Sequence, residues 1–386
     1  MKNFQFLNPT KIIFGKDEIQ SLKREIPSHS KVLVLYGGGS VKRSGLLEKI
    51  KEVLKGYQLG EFGGIEPNPT YETVMKAVEL IRKEKYDFLL AAGGGSVIDG
   101  TKFIAAAAPF VQGDPWDIIA KRLPFERALP LATVLTLPAT GSEMNCGAVI
   151  TRKAIKAKMP FMSPKVFPQF SILDPVYTYT LPEKQIANGI VDAFVHVMEQ
   201  YLTYPVAGKV QDRFAEGLLM TLVEEGPKAL HDRENYDVRA NLMWTATLAL
   251  NGLIACGVPQ DWSTHMIGHE ITALYGLDHA ETLAIVLPSL LEVMKEDKAA
   301  KLIQYGERVW DIAVDLPPAE KITLAIEKTR NFFESVGIKT RLSGYGLGEE
   351  AIEEIIGSLI RHGMLKLGEK GTVTPEVARQ VLALSL

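Results

Sequence analysis

Asp192 and His196 stand four residues apart in the apolar stretch 188-NGIVDAFVHVMEQYL-202, and His265, His269 and His279 follow within a single fifteen-residue span. In a helix, positions i and i+4 stack on one face, so Asp192 and His196 can reach the same ion. His265 opens a second apolar-periodic segment, 265-HMIGHEITALYG-276, and His279 lies just beyond Gly276, a helix stop signal. One carboxylate with two or three imidazoles suits a divalent transition ion such as Zn²⁺ or Fe²⁺, whereas Ca²⁺ prefers an all-oxygen cage. The competing reading is that these histidines cap helices or satisfy core hydrogen bonds. The His265/His269 pair also has zinc-binding spacing, so the pattern alone leaves His269 among the candidate ligands. It is not an H-E-x-x-H helix, because Met266 follows His265.

A second kind of chemistry lies upstream. The run 31-KVLVLYGGGSVKR-43 breaks from a strand pattern into Gly37, Gly38, Gly39 and Ser40, and 87-DFLLAAGGGSVIDGTKF-103 repeats the break at Gly94, Gly95 and Ser96. A third segment, 131-LATVLTLPATGSEMNCGAVI-150, places Thr136, Thr140, Gly141 and Ser142 after another strand. Backbone N–H groups at such strand-to-helix turns can cradle phosphate. Neither glycine loop fits G-x-G-x-x-G, since Lys42 and Ile98 occupy the last position, and no P-loop occurs. Three such loops before residue 150 point to a ligand of nucleotide size. A nucleotide, a transition metal and no nucleophile elbow together indicate hydride transfer, with a metal to polarise a carbonyl and a nicotinamide to deliver hydride.

These groups must be held by two kinds of element. From about residue 31 to 180, strand-like runs (Lys31–Leu35, Phe88–Ala92, Leu131–Leu137, Phe170–Leu173) alternate with helical patterns over Tyr71–Lys85 and Val97–Ala108. Such alternation predicts a mostly parallel, doubly wound α/β sheet, with ligands at the C-terminal strand ends where all three loops fall. After the Pro-bounded 174-DPVYTYTLP-182 the pattern is helical, with helices expected at 183–203, 207–224, 236–255, 261–275, 280–294, 318–335 and 348–361. The expected domains are 1–181, an α/β dinucleotide-binding domain, and 182–386, an all-helical metal-binding domain. A ligand in a cleft between the two would meet both sites.

At 386 residues, two domains are the natural expectation. A net charge of −3 gives no general attraction to nucleic acid or acidic membranes. Cys146 and Cys256 form no CxxC, which fits a reducing cytoplasm, and the N-terminus lacks the apolar core of a secretory signal. The uncharged stretch 240–260 is interrupted by Asn241, Thr245, Thr247 and Asn251 and reads as a buried helix rather than a membrane span.

The chain resembles the iron-containing alcohol dehydrogenase family, and within it the bacterial NADPH-dependent broad-range aldehyde reductases and butanol dehydrogenases. The likeness is carried by 13-IFGK-16, 93-GGGSVIDGTK-102, 136-TLPATGSE-143, 174-DPVYTYTLP-182, 191-VDAFVHVMEQY-201, 211-QDRFAEG-217 and 259-PQDWSTHMIGHEITALYGLDHA-280. It implies a dehydroquinate synthase-like architecture, with a homodimer as the assembly. It assigns Asp192, His196, His265 and His279 as metal ligands, and His269 as a non-ligand near the nicotinamide that can relay a proton. By the same resemblance, Gly94, Gly95, Ser96 and Asp99 contact the pyrophosphate. Thr136, Thr140, Ser142, Asn145 and Gly147 cradle the cofactor, while Lys158, Asn68 and Tyr71 lie toward its adenosine end. Two widespread family motifs vary here, as Asp99-Gly100-Thr101-Lys102 and Asp278-His279-Ala280, and both variants recur in the aldehyde-reductase branch.

The loop Gly37–Ser40 contains no acid to repel a 2′-phosphate, and Lys42 or Arg43 offers positive charge. NADP(H) is therefore the expected cofactor, with NAD(H) usable, and a Gly39→Asp carboxylate should oppose the phosphate. The expected substrates are short aliphatic or aromatic aldehydes and primary alcohols, facing apolar neighbours such as Leu253, Ile254, Val258 and Trp262. The alternative is an NAD-dependent lyase resembling dehydroquinate synthase. A phosphorylated substrate would need a basic pocket, yet residues 240–288 contain no Lys or Arg.

Overall fold

The computed structural model describes residues 1–386, and the chain divides into two compact units. One comprises Leu7–Leu181 with Arg233–Thr247; the other comprises Met1–Phe6, Pro182–Asp232 and Leu248–Leu386. The chain changes unit at Leu181/Pro182, but neither unit is a single continuous stretch, in contrast to the two consecutive domains drawn from sequence.

The first unit is built on eight strands: β1 Lys11–Phe14, β2 Lys31–Tyr36, β3 Gln58–Phe62, β4 Phe88–Gly94, β5 Leu131–Leu137, β6 Gly147–Arg152, β7 Ala157–Met162 and β8 Phe170–Leu173. Six of them form a parallel sheet in the order β1-β8-β5-β4-β2-β3, and β6 and β7 form a separate antiparallel pair. The continuous apolar runs of β2 and β4 follow from burial on both faces. Leu33, Leu35, Leu89 and Ala91 enter the core that holds the helices Tyr71–Glu84 and Gly95–Ala107. Val32, Val34, Phe88 and Leu90 point the other way, to the core that holds the helix Leu46–Val53. Parallel pairing puts the ends of β2, β4 and β5 on one edge, which brings the three loops to the same side of the sheet.

β3, β6 and β7 were not anticipated. β3 is a half-exposed edge strand with a central glycine, and β7 contains Pro160, so neither carries a clean apolar alternation. β1 closes the other edge of the sheet, while residues 4–7 form no strand and expose Phe4, Phe6 and Leu7.

The second unit is helical, with Glu183–Tyr201, Lys209–His231, Ser263–Tyr275, His279–Val293, Ala299–Val309, Pro318–Ser335, Glu349–Arg361 and Pro375–Leu384. The helix expected over 207–224 continues to His231 through Pro227, held by close packing of Gly226 against Ile190 and burial of Ala229. The helix expected over 236–255 stops at Ala249, and most of it belongs to the α/β unit. There Asn251 Oδ1 accepts the Leu253 N–H at 3.0 Å and Gly252 turns at φ +91°, which ends the helix. No helix is long and apolar enough to cross a membrane.

Candidate metal centre and nucleotide loops

The helix Glu183–Tyr201 is buried almost continuously from Ile186 onward, and it carries Asp192 and His196 at 3% and 4% exposure. His265 sits in the first turn of the helix Ser263–Tyr275. His279 is the first residue of the next helix, whose cap Asp278 forms a reciprocal capping box with Glu281. That turn is tied down because Asp278 accepts from Asn188 Nδ2 at 3.0 Å and, together with Glu281, pairs with Lys184 at 2.9 Å.

One ligand atom from each of Asp192, His196, His265 and His279 lies within 4.8 Å of the others. Asp192 Oδ1 is 3.5 Å from His279 Nε2 and 3.9 Å from His196 Nδ1. The His196 and His265 rings are 4.6 Å apart, and those of His265 and His279 are 5.1 Å apart. Burial, with the neighbouring His265 adding repulsion, holds the His196 imidazole well below its ordinary pKa, so it is neutral and able to ligate. Its Nδ1 is buried with no hydrogen-bond partner, as expected of a nitrogen kept for a metal. The three-nitrogen, one-oxygen donor set fits a divalent transition ion. The His279 side chain is 22% exposed, so the cluster is reachable from solvent. His269 lies one turn after His265, with its ring 5.3 Å from that of His279, and is not one of the four clustered donors.

Sequence reading missed the groups behind the ligands. Glu199 Oε2 contacts His265 Nδ1, and its Oε1 accepts the Thr264 N–H at 2.7 Å. Burial and the Asp261 carboxylate push Glu199 well above the usual carboxylate range. Asp261 caps the turn before His265 and pairs at 2.7 Å with the buried Lys298, which also meets Glu369 at 3.1 Å. The signal for Glu199 was present in the sequence: three residues after His196 and seven after Asp192, it falls on their helix face.

In the α/β unit the loops interlock. A side chain at Gly95 would place its Cβ 2.5 Å from Thr140, so this glycine is what lets the second and third loops touch. Ser142 donates to Asp99 at 2.6 Å, and Asp99 also accepts the Val149 N–H at 2.8 Å. Fully buried Lys102 donates to Ser142, Asn145 and the Gly147 carbonyl at 2.8 to 2.9 Å. Burial raises the Asp99 pKa and pushes Lys102 down to about 8. Lys102, which the sequence shows only as the last residue of the Asp99-Gly100-Thr101-Lys102 motif, organises the loop that Asp99, Ser142, Asn145 and Gly147 form. Lys158 donates to Asn68 Oδ1 at 2.8 Å, and the Asn68 N–H reaches Ser96 Oγ at 3.3 Å. The Tyr71 hydroxyl bonds Asp114, with Arg152 4.8 Å over its ring. Thr136 sits half-buried near the end of β5.

The first loop stands apart from this web. Gly38 and Ser40 are exposed, and Gly39 adopts φ +98° as it caps the short helix Ser40–Arg43. A Cβ at Gly39 would stand 3.7 Å from Arg43 Nη1, so of the two cations Arg43 is the one beside the loop. Lys42 instead lies over the Tyr36 ring at 5.1 Å and 4.0 Å from Glu61. Glu61, on the unanticipated β3, is an acid near the loop, but Lys51 pairs with it at 2.7 Å and holds its pKa down.

Residues 9–175 match the iron-containing alcohol dehydrogenase family, and residues 186–370 match the C-terminal region of the Fe-containing alcohol dehydrogenase family. Over 385 residues, 99% of each chain, the protein is 57% identical to the NADPH-dependent aldehyde reductase YqhD of Escherichia coli. A crystal structure of E. coli YqhD is similar at a TM-score of 0.99 and 56% identity, covering 100% of this chain and 99% of that one. A probable NADH-dependent butanol dehydrogenase 1 of Bacillus subtilis is 43% identical over 390 residues and 100% of both chains.

Proposed function

Because this chain belongs to the iron-containing alcohol dehydrogenase family, we propose that it is a cytoplasmic, homodimeric, metal-dependent alcohol dehydrogenase working mainly as an NADPH-dependent reductase of short aliphatic or aromatic aldehydes. The observation that carries this reading is the convergence of Asp192, His196, His265 and His279 to within 4.8 Å. When bound, a divalent ion supplies a Lewis acid for a carbonyl and a nicotinamide supplies the hydride. The four side chains would hold that ion. Trp262, whose ring lies 5.2 Å from that of His265, gives the substrate an apolar wall. His269, beside the donor set without joining it, is placed to pass a proton to the product alkoxide through water.

For the cofactor, the N-terminal turn of the helix Gly95–Ala107, with Ser96 and the Asp99–Lys102–Ser142 web behind it, would receive the pyrophosphate. Asn68, Tyr71 and Lys158 would serve the adenosine. The exposed Gly37–Ser40 loop would take the 2′-phosphate, with Arg43 adjacent and Glu61 neutralised by Lys51. This supports NADPH over NADH, in keeping with the name of the 57% identical relative rather than the 43% identical one. The unpaired outer edge of β1 supports a dimer, because an exposed strand edge favours pairing with a second chain.

A panel of aldehydes assayed with both NADPH and NADH, together with light scattering, tests the proposal. Butanal reduction faster with NADPH and a dimer mass are expected. Absence of aldehyde turnover, or a monomer mass, would count against it.

A further inference from the structure

The buried helix that carries Asp192 and His196 presents a third polar group on the same face, Glu199, which is 3% exposed. Its carboxylate is fully engaged: Oε2 meets His265 Nδ1, and Oε1 accepts the Thr264 N–H at 2.7 Å. We propose that Glu199 is a positioning residue for the metal centre. By accepting the Nδ1 proton of His265 it sets the tautomer and rotation of that imidazole, commits Nε2 to the ion and raises that nitrogen's basicity. The inference rests on the metal-site reading.

The surroundings are built to keep this carboxylate in place. The Glu199 carbonyl accepts the Asp261 N–H at 2.8 Å, so the turn that launches His265 is bonded to the helix that carries Glu199. Asp261 in turn accepts the Ser263 N–H at 2.9 Å and pairs with Lys298, itself 4% exposed and bonded to the Leu202 carbonyl at 2.7 Å. Glu199 and His265 therefore approach from two helices that this buried network holds in register. A glutamine has nearly the same shape but only one acceptor oxygen, so with Oε1 on the Thr264 N–H it would turn an N–H toward His265 Nδ1 and favour the opposite tautomer.

The test is Zn²⁺ titration of the metal-stripped full-length protein against a chromophoric chelator, for wild type, Glu199→Gln, His265→Ala and Tyr305→Phe. The last removes a different buried bond of the same unit, from Tyr305 to Thr329 at 2.7 Å. Glu199→Gln should weaken zinc binding by about 10- to 100-fold. Tyr305→Phe should lower the melting temperature and leave zinc affinity alone, and His265→Ala should abolish binding. Wild-type affinity in a folded Glu199→Gln protein overturns the inference, as does equal weakening in Tyr305→Phe. Normal zinc binding by His265→Ala overturns the donor set itself and the inference with it. If Glu199→Gln does not fold, ¹⁵N-histidine spectra of the zinc-loaded wild type decide: a proton on His265 Nδ1 supports the role, and a proton on Nε2 overturns it.

Discussion

Placing a carboxylate at Gly38 should turn cofactor choice away from NADPH. Gly39 is the less suitable position, because its φ of +98° strains any L side chain there and would weaken the loop toward both cofactors. Gly38 has no such constraint: its φ is not positive, it is exposed, and an added Cβ meets nothing within 4 Å. With a 2′-phosphate taken as lying ~5–6 Å from the new carboxylate, each unit of phosphate charge contributes ~3 kcal/mol of repulsion at an effective dielectric of 20 and under ~1 kcal/mol in bulk water. Exposure places the loop between these limits, and Arg43 offsets part of the repulsion. About 2 kcal/mol, or about 30-fold in NADPH affinity, is the expected effect. NADH has no 2′-phosphate, so its binding should hold or improve through a hydrogen bond from the ribose hydroxyls. Measuring kcat/KM for both cofactors in wild type and Gly38→Asp reads this directly. An unchanged NADPH/NADH ratio, or a wild type that favours NADH, refutes the assignment of this loop.

Two further outcomes follow from the geometry. Lys102→Met leaves buried Asp99 without its nearby cation and strips the partner from Ser142, Asn145 and the Gly147 carbonyl, so stability to urea should fall by about 3–5 kcal/mol and nucleotide binding should weaken; wild-type stability would show that the web is dispensable. His269→Gln should lower kcat by about 10²-fold or more while bound metal stays stoichiometric, because the ring lies outside the donor set, and loss of metal in this variant would make His269 a ligand instead.

What was legible in the sequence was whatever repeats locally. β2, β4, β5 and β8 announced themselves because strands buried on both faces are near-continuous apolar runs, broken only by Thr133 and Thr136 in β5 and Ser171 in β8, and the three loops were visible as glycine or threonine breaks after β2, β4 and β5. The histidine cluster was visible because three of its members lie within one short span. β3 and β7 were not, since half-exposed strands interrupted by Gly60 or Pro160 carry little periodic signal, and β6 is a short run that starts at Gly147 directly after the third loop. Glu199, Lys102 and Lys298 were missed for a different reason. Each is a charged residue whose meaning comes from a partner distant in sequence: His265 lies 66 residues from Glu199, and Gly147 lies 45 from Lys102. Arg43 could be separated from Lys42 only once the loop geometry showed which of them stands beside Gly39.

The central claim is that four side chains hold a metal on which aldehyde reduction depends, and removal and return of the metal test it most directly. Stripped of metal by chelation, the protein should still bind NADPH, seen as a shift in nicotinamide fluorescence, because the loops occupy the other unit. Butanal reduction should vanish, and one equivalent of Zn²⁺ or Fe²⁺ should restore it in the wild type but not in Asp192→Ala or His265→Ala. Full turnover by the metal-free protein, or restoration by metal in His265→Ala, would contradict the account.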